Sequence, residues 1–244
     1  MVERGVWLIA AQATATRAQA SAQLGLTLRS VLLSPRAGFE NIFRVARRRE
    51  QTGTRPVEGV APYILAALGG IALMLLWLKL GSLVGVRDVA EVEFRWSYLA
   101  VAGATGALLA VIGQLVWGTL GSLVLRVFGG PSPARDLRVV WGASAGPQIF
   151  GLALLLPLDL LIVGTDTFTS ERLGDSLATG WAAMSIALSF SLAVWSLFIF
   201  VRGVEVAASV SLVKALGVTL VGIALLVAIV GALVVGAAAL GGGT

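Results

Sequence analysis

The side chains able to do chemistry in this chain fall into three groups. Lys79, Gln114 and Asp159 sit alone inside long apolar stretches. Five arginines, Arg36, Arg44, Arg47, Arg48 and Arg49, crowd a short segment ahead of the first apolar wall. Arg202, Glu205 and Lys214 share a polar bend between two later walls. No group makes a catalytic constellation. The chain has no His, which removes the usual general base and the commonest metal ligand. It has no Cys, which removes disulfides and thiolate metal sites. Asp159 stands without a second carboxylate in its stretch, and oxygen ligands for a metal are sparse. The expectation is no enzyme, no cofactor and no metal.

The elements that must position these groups are long and apolar. Only 13% of residues are charged, against about a quarter in a soluble domain. Apolar residues come in blocks, so the expected solvent is mostly lipid. The sequence predicts an all-α polytopic transmembrane bundle of five spans with N-terminal interfacial or cytoplasmic helices. Spans are expected near residues 62–83, 96–125, 139–164, 180–201 and 215–240, each long enough to cross a bilayer as a helix. Residues 1–59 form the N-terminal cytoplasmic and interfacial amphipathic region, and 60–244 the transmembrane domain. A sixth span over residues 6–33 is opposed by Arg17 near its middle.

Counting charge orients the chain. With the N-terminus inside and five spans alternating, fourteen of the 18 Lys and Arg fall inside and four outside. The positive-inside rule then places the N-terminus in the cytoplasm, the Arg202–Lys214 bend in the cytoplasm and the C-terminus outside. The protein is expected in the cell membrane.

Each group has a local setting. Ser34-Pro35 reads as a helix start, because Ser caps and Pro lacks an N–H where none is needed. Phe39, Ile42, Phe43 and Ala46 then recur at i, i+3, i+4, i+7, with the arginines mostly off that stripe. This is the pattern of a helix in the membrane interface. Its arginines have two readings, contact with anionic lipid or a cytoplasmic partner, and enforcement of topology. Nucleic acid is excluded by the lack of accompanying aromatic or groove-reading elements.

Lys79 and Asp159 both fall near the outer ends of their spans. They either pair across the bundle or reach interfacial water separately. Gln114 is either an interhelical hydrogen bond or part of a polar pathway. Pro147 and Pro157 are expected to interrupt the third span. Small residues recur every fourth position at Ala102, Gly106, Ala110 and at Ser185, Ser189, Ala193, a signature of close helix packing or self-association.

Two stretches resemble the Yip1 family of five-span membrane proteins. One is L-L-S-P-R-A-G-F-E-N-I at 32–42, with its Ser-Pro-Arg…Phe start to the membrane domain. The other is W-S-L…R-G-V-E-V-A-A-S-V-S-L-V-K-A-L at 195–216, with a Gly-x-x-x bend and a Lys-Ala-Leu restart. The resemblance covers about residues 30–240. It implies membrane organisation or trafficking and brings no catalytic residues. The acidic-Tyr-Gly-Pro signature of eukaryotic members is absent, so their Rab-GTPase partnership is not implied.

The expected function is a non-enzymatic integral membrane scaffold, adaptor or accessory subunit. Its expected partners are anionic membrane lipids and other membrane proteins or a second copy. The alternative is a component of a small-molecule or ion transporter that uses the broken third span. A continuous polar cavity reaching Gln114 or Asp159 would favour transport, and a dry, filled bundle would favour the scaffold.

Overall fold

A computed structural model of the chain describes residues 29–51, 60–84, 96–130, 134–164, 168 and 176–241, with the side chains of 48–51, 82–84, 176 and 229–241 outside that description. The readings made on residues 1–28, the polar linker and most of the two loops at 85–95 and 165–175 lie outside the described residues.

Among the described residues, a helical stretch at 29–33 is followed in order by α1 (Pro35–Gln51), α2 (Ala61–Val84), α3 (Trp96–Val127), α4 (Ala134–Ser144), α5 (Gly146–Ile162), α6 (Ser176–Ala208) and α7 (Leu212–Gly241). Among the described residues, four stretches are long and apolar enough to cross a membrane: Ala61–Gly81, Trp96–Val127, Ala134–Ile162 and Leu177–Ala208. A fifth apolar stretch, Leu212–Ala228, opens α7. Among the described residues there is no strand. The outside of the bundle is apolar: Trp77, Leu108, Leu161 and Phe190 are each more than half exposed. In water this would be one large sticky surface; in lipid it is the solvated face.

The spans pack through small residues. α2 and α3 meet where Gly70 faces Gly106. A Cβ added to Gly106 would stand 2.5 Å from the Gly70 carbonyl oxygen, so the two backbones touch. The face carrying Ala102, Gly106 and Ala110 is therefore used against α2.

The third span is two helices, and it begins at Ala134 rather than near residue 139. The break lies at Ala145, one residue before α5, where Ala145 N–H bonds back to Gly142 O at 3.2 Å. Pro147 follows at the start of α5, where its missing N–H is free of cost. Pro157, in contrast, lies inside α5 and does not end it. Only the first of the two prolines divides the span.

The expected bend between the fourth and fifth spans is shorter than its charged residues suggest. Arg202 and Glu205 lie within α6, and the turn is Ser209, Val210 and Ser211. Val210 N–H donates to Glu205 O and Ser209 N–H to Val206 O, with Ser209 at φ 51°. These two bonds form a Schellman cap. Ser211 then starts α7: its Oγ accepts from Lys214 N–H at 3.4 Å and its carbonyl from Ala215 N–H at 2.9 Å. α3 ends with the same pair of bonds, with Gly129 at φ 75° in the left-handed position.

Gly203 is accordingly no bend residue. It sits inside α6, and a Cβ there would lie 2.8 Å from the Phe39 ring. Phe39 is fully buried and Phe43 nearly so; their rings stack 6.2 Å apart. Both belong to the core of Leu125, Leu137, Val140, Ile199, Val204 and Val218. The aromatic part of the α1 stripe is thus spent on protein, against α4 and α6, rather than offered to lipid.

Candidate functional site

The polar groups collect at three places. At the end of the bundle where α2 finishes, Lys79 meets Asp159 of α5. Lys79 Nζ forms an ion pair with Asp159 Oδ2, and both side chains are buried. Asp159 Oδ1 accepts from Trp181 Nε1–H at 3.0 Å, and Lys79 Nζ also donates to Ser185 Oγ at 3.3 Å. Trp181 and Ser185 are four apart on α6, so one face of that helix supplies both. The carboxylate therefore holds a cation and an indole donor at once. The ammonium holds a carboxylate and a hydroxyl. An isolated charge here would be expensive, and a pair with further hydrogen bonds is the form in which charge survives burial.

Gln114 is fully buried on α3. Its Nε2 donates to Arg138 O at 2.7 Å and faces Pro62 O at 3.4 Å. One amide thus ties α3 to the starts of α4 and α2. Its Oε1 has no partner among the described residues.

Two spaces flank these groups. A cavity of about 30 Å³ touches Lys79, Gln148 and Ser189 and is otherwise walled by Leu, Ala and Gly. It has room for one or two waters. A larger, mostly apolar cleft of about 690 Å³ runs past the α4–α5 break, with Ser144, Gln148 and Ser196 among its lining. Gln114 and Asp159 line neither.

The third place is the hairpin end, where α6 meets α7. Here Arg36, Glu40, Phe43, Arg44 and Arg47 of α1 face Glu205, Val206, Ser209 and Val210 across a cleft of about 630 Å³. Arg36 pairs with Glu40 at 3.1 Å and reaches Glu205 at 3.9 Å. Arg202 pairs with Glu205 at 2.9 Å and stacks over the Phe198 ring. The N-terminal arginine segment and the α6–α7 hairpin, read separately in the sequence, thus meet in one structure. Lys214 is exposed at the same end, and the side chains of Arg48 and Arg49 lie outside the described residues.

Sequence reasoning missed Trp181 as a partner of Asp159 and read Ser185 only as a packing residue. The signal was present: an indole and a hydroxyl at i, i+4 on a span facing a lone buried charge. It also missed the fully enclosed Trp117, whose ring packs edge-on to Phe200 at 5.3 Å. Among the described residues, no three His, Cys, Asp or Glu side chains gather as a metal would need.

An all-helical bundle with lipid-facing surfaces and paired internal charge defines a multi-pass integral membrane protein. The chain belongs to the Yip1 domain family: that family's model matches residues 29–236, and the family is one of multi-pass membrane proteins. The matched span includes α1, so the arginine-bearing helix is part of the family domain. No curated protein and no solved structure matches the chain.

Proposed function

We propose that this protein is a non-enzymatic scaffold, adaptor or accessory subunit in the cell membrane, with its N-terminus cytoplasmic and its C-terminus outside. One observation carries the reading. The buried charges and the Gln114 amide nitrogen are bonded within the bundle: Asp159 to Lys79 and Trp181, Lys79 to Ser185, and Gln114 Nε2 to backbone carbonyls. Groups used in this way hold helices together. In this reading the apolar outer faces meet other membrane proteins or a second copy, and the basic hairpin end meets anionic lipid.

Transport is the second reading, and the α4–α5 break beside a 690 Å³ cleft favours it. The two are separated by one pair of measurements on the full chain. Photo-crosslinkers at exposed Leu108 and Phe190, used in native membranes, should give discrete, reproducible protein adducts. Reconstituted vesicles should show no ion or solute flux above protein-free vesicles. A flux abolished by Asp159→Asn, with no protein adduct, overturns the scaffold in favour of transport.

A further inference from the structure

The cleft at the hairpin end has more positive charge than its own carboxylates use. Glu205 is already held by Arg202 and approached by Arg36, and Glu40 is held by Arg36. Arg44 and Arg47 line the same cleft one helical turn apart on α1, and no carboxylate of the described residues lies within ion-pair distance of either. Ser209 adds a hydroxyl to the same wall, and Phe43, Val206 and Val210 add apolar surface. Two guanidiniums with no carboxylate partner among the described residues, a hydroxyl and a concave wall are the donor set for a phosphate, because a guanidinium meets phosphate oxygens through paired N–H bonds.

The surroundings choose between a soluble phosphate and a lipid. Val45 lies between the two arginines on α1 and is 45% exposed, and Leu33 is 70% exposed. Val127 at the end of α3 is 86% exposed and precedes Gly130, which packs against Val210 of the cleft. Basic and bare apolar residues side by side mark the headgroup boundary of a bilayer.

We propose that this cleft is a binding site for the phosphate of an anionic phospholipid, with Arg44 and Arg47 as its ligands, Ser209 as an added donor, and the acyl chains lying along the apolar rim. The proposal deepens the scaffold reading and rests on its placing the hairpin end at the membrane surface. The site clamps α1 to the α6–α7 hairpin, so lipid composition would set how firmly the N-terminal segment is held.

The test titrates the full chain in neutral detergent with short-chain phosphatidylglycerol, and with phosphatidylcholine of equal chain length, read by native mass spectrometry. The expected result is one preferred phosphatidylglycerol per chain. Arg44→Gln/Arg47→Gln should weaken it about tenfold or more. Lys214→Gln, which removes an exposed charge at the same end but outside the cleft, should change it less than about twofold. Ser209→Gly relieves the positive φ and removes the hydroxyl, so it should bind less well while folding at least as stably. It reads out the site even if the double variant folds poorly. Equal losses from Lys214→Gln and the arginine pair would show diffuse surface charge and overturn the site. Complete displacement by millimolar inorganic phosphate would overturn the assignment to lipid. Absence of phosphatidylglycerol binding with the protein adducts of the preceding section intact would remove this site and leave the scaffold standing.

Discussion

Lys79 and Asp159, 80 residues apart in sequence and on different helices, form an ion pair whose side chains are 6% and 0% exposed. Buried pairs of this kind are costly to break and inexpensive to remove whole. Lys79→Met and Asp159→Leu should each destabilise the bundle by about 3–5 kcal/mol, because each leaves the other charge buried without its partner. The double variant should recover most of that loss. Reversible unfolding in mixed detergent micelles measures all three; additive losses would show that the two residues do not act together.

Gln114 should matter much less. It bonds two backbone carbonyls, and interhelical hydrogen bonds inside membranes average about 0.6 kcal/mol, with a maximum near about 1.7. Gln114→Leu should fall in that range in the same unfolding assay. A loss as large as that of Asp159→Leu would show that the amide does more than join helices.

The α2–α3 contact gives a paired prediction on one helix face. Gly106→Ala places a methyl 2.5 Å from the Gly70 carbonyl oxygen, where backbone must move, and should cost about 1–3 kcal/mol. Gly103→Ala meets only the Ile71 side chain at 3.7 Å and should be neutral or stabilising, since Ala is the better helix former. Comparable losses at both positions would contradict the close approach.

Gly203 and Phe39 give a test of α1 docking. Gly203→Leu should push the Phe39 ring from its seat and expose α1 to trypsin at Arg44 and Arg47. Phe39→Ala should restore part of the protection by making room. Unchanged cleavage in Gly203→Leu would show that α1 is not held there.

These relationships were unequally legible in the sequence. The spans were readable because lipid imposes a long apolar run on every one of them. Pro35 at the head of α1 and the packing face of Ala102, Gly106 and Ala110 were readable because each rests on local chemistry or a fixed period. The partners were not. An apolar stripe such as Phe39 and Phe43 states that it will be buried but not against what. Gly203 looked like a bend because glycine both turns chains and admits rings, and only the neighbouring helix distinguishes the two. Pro147 and Pro157 look alike in sequence. Only Pro147 sits beside a divide, at Ala145, close to where Gly142 packs against the Pro62 carbonyl.

The absence of cysteine makes the central claim directly measurable, because every introduced thiol is the only one present. Single Cys residues at Ser185, in the buried network, and at Lys214, at the exposed hairpin, should be treated with a small water-soluble thiol reagent on the folded protein in vesicles permeable to it. A bundle whose polar groups are sealed against one another predicts rapid labelling of Lys214→Cys and labelling of Ser185→Cys only after denaturation. Labelling of Ser185→Cys in the folded protein at a rate near that of Lys214→Cys would reveal a water path to Asp159 and contradict the account.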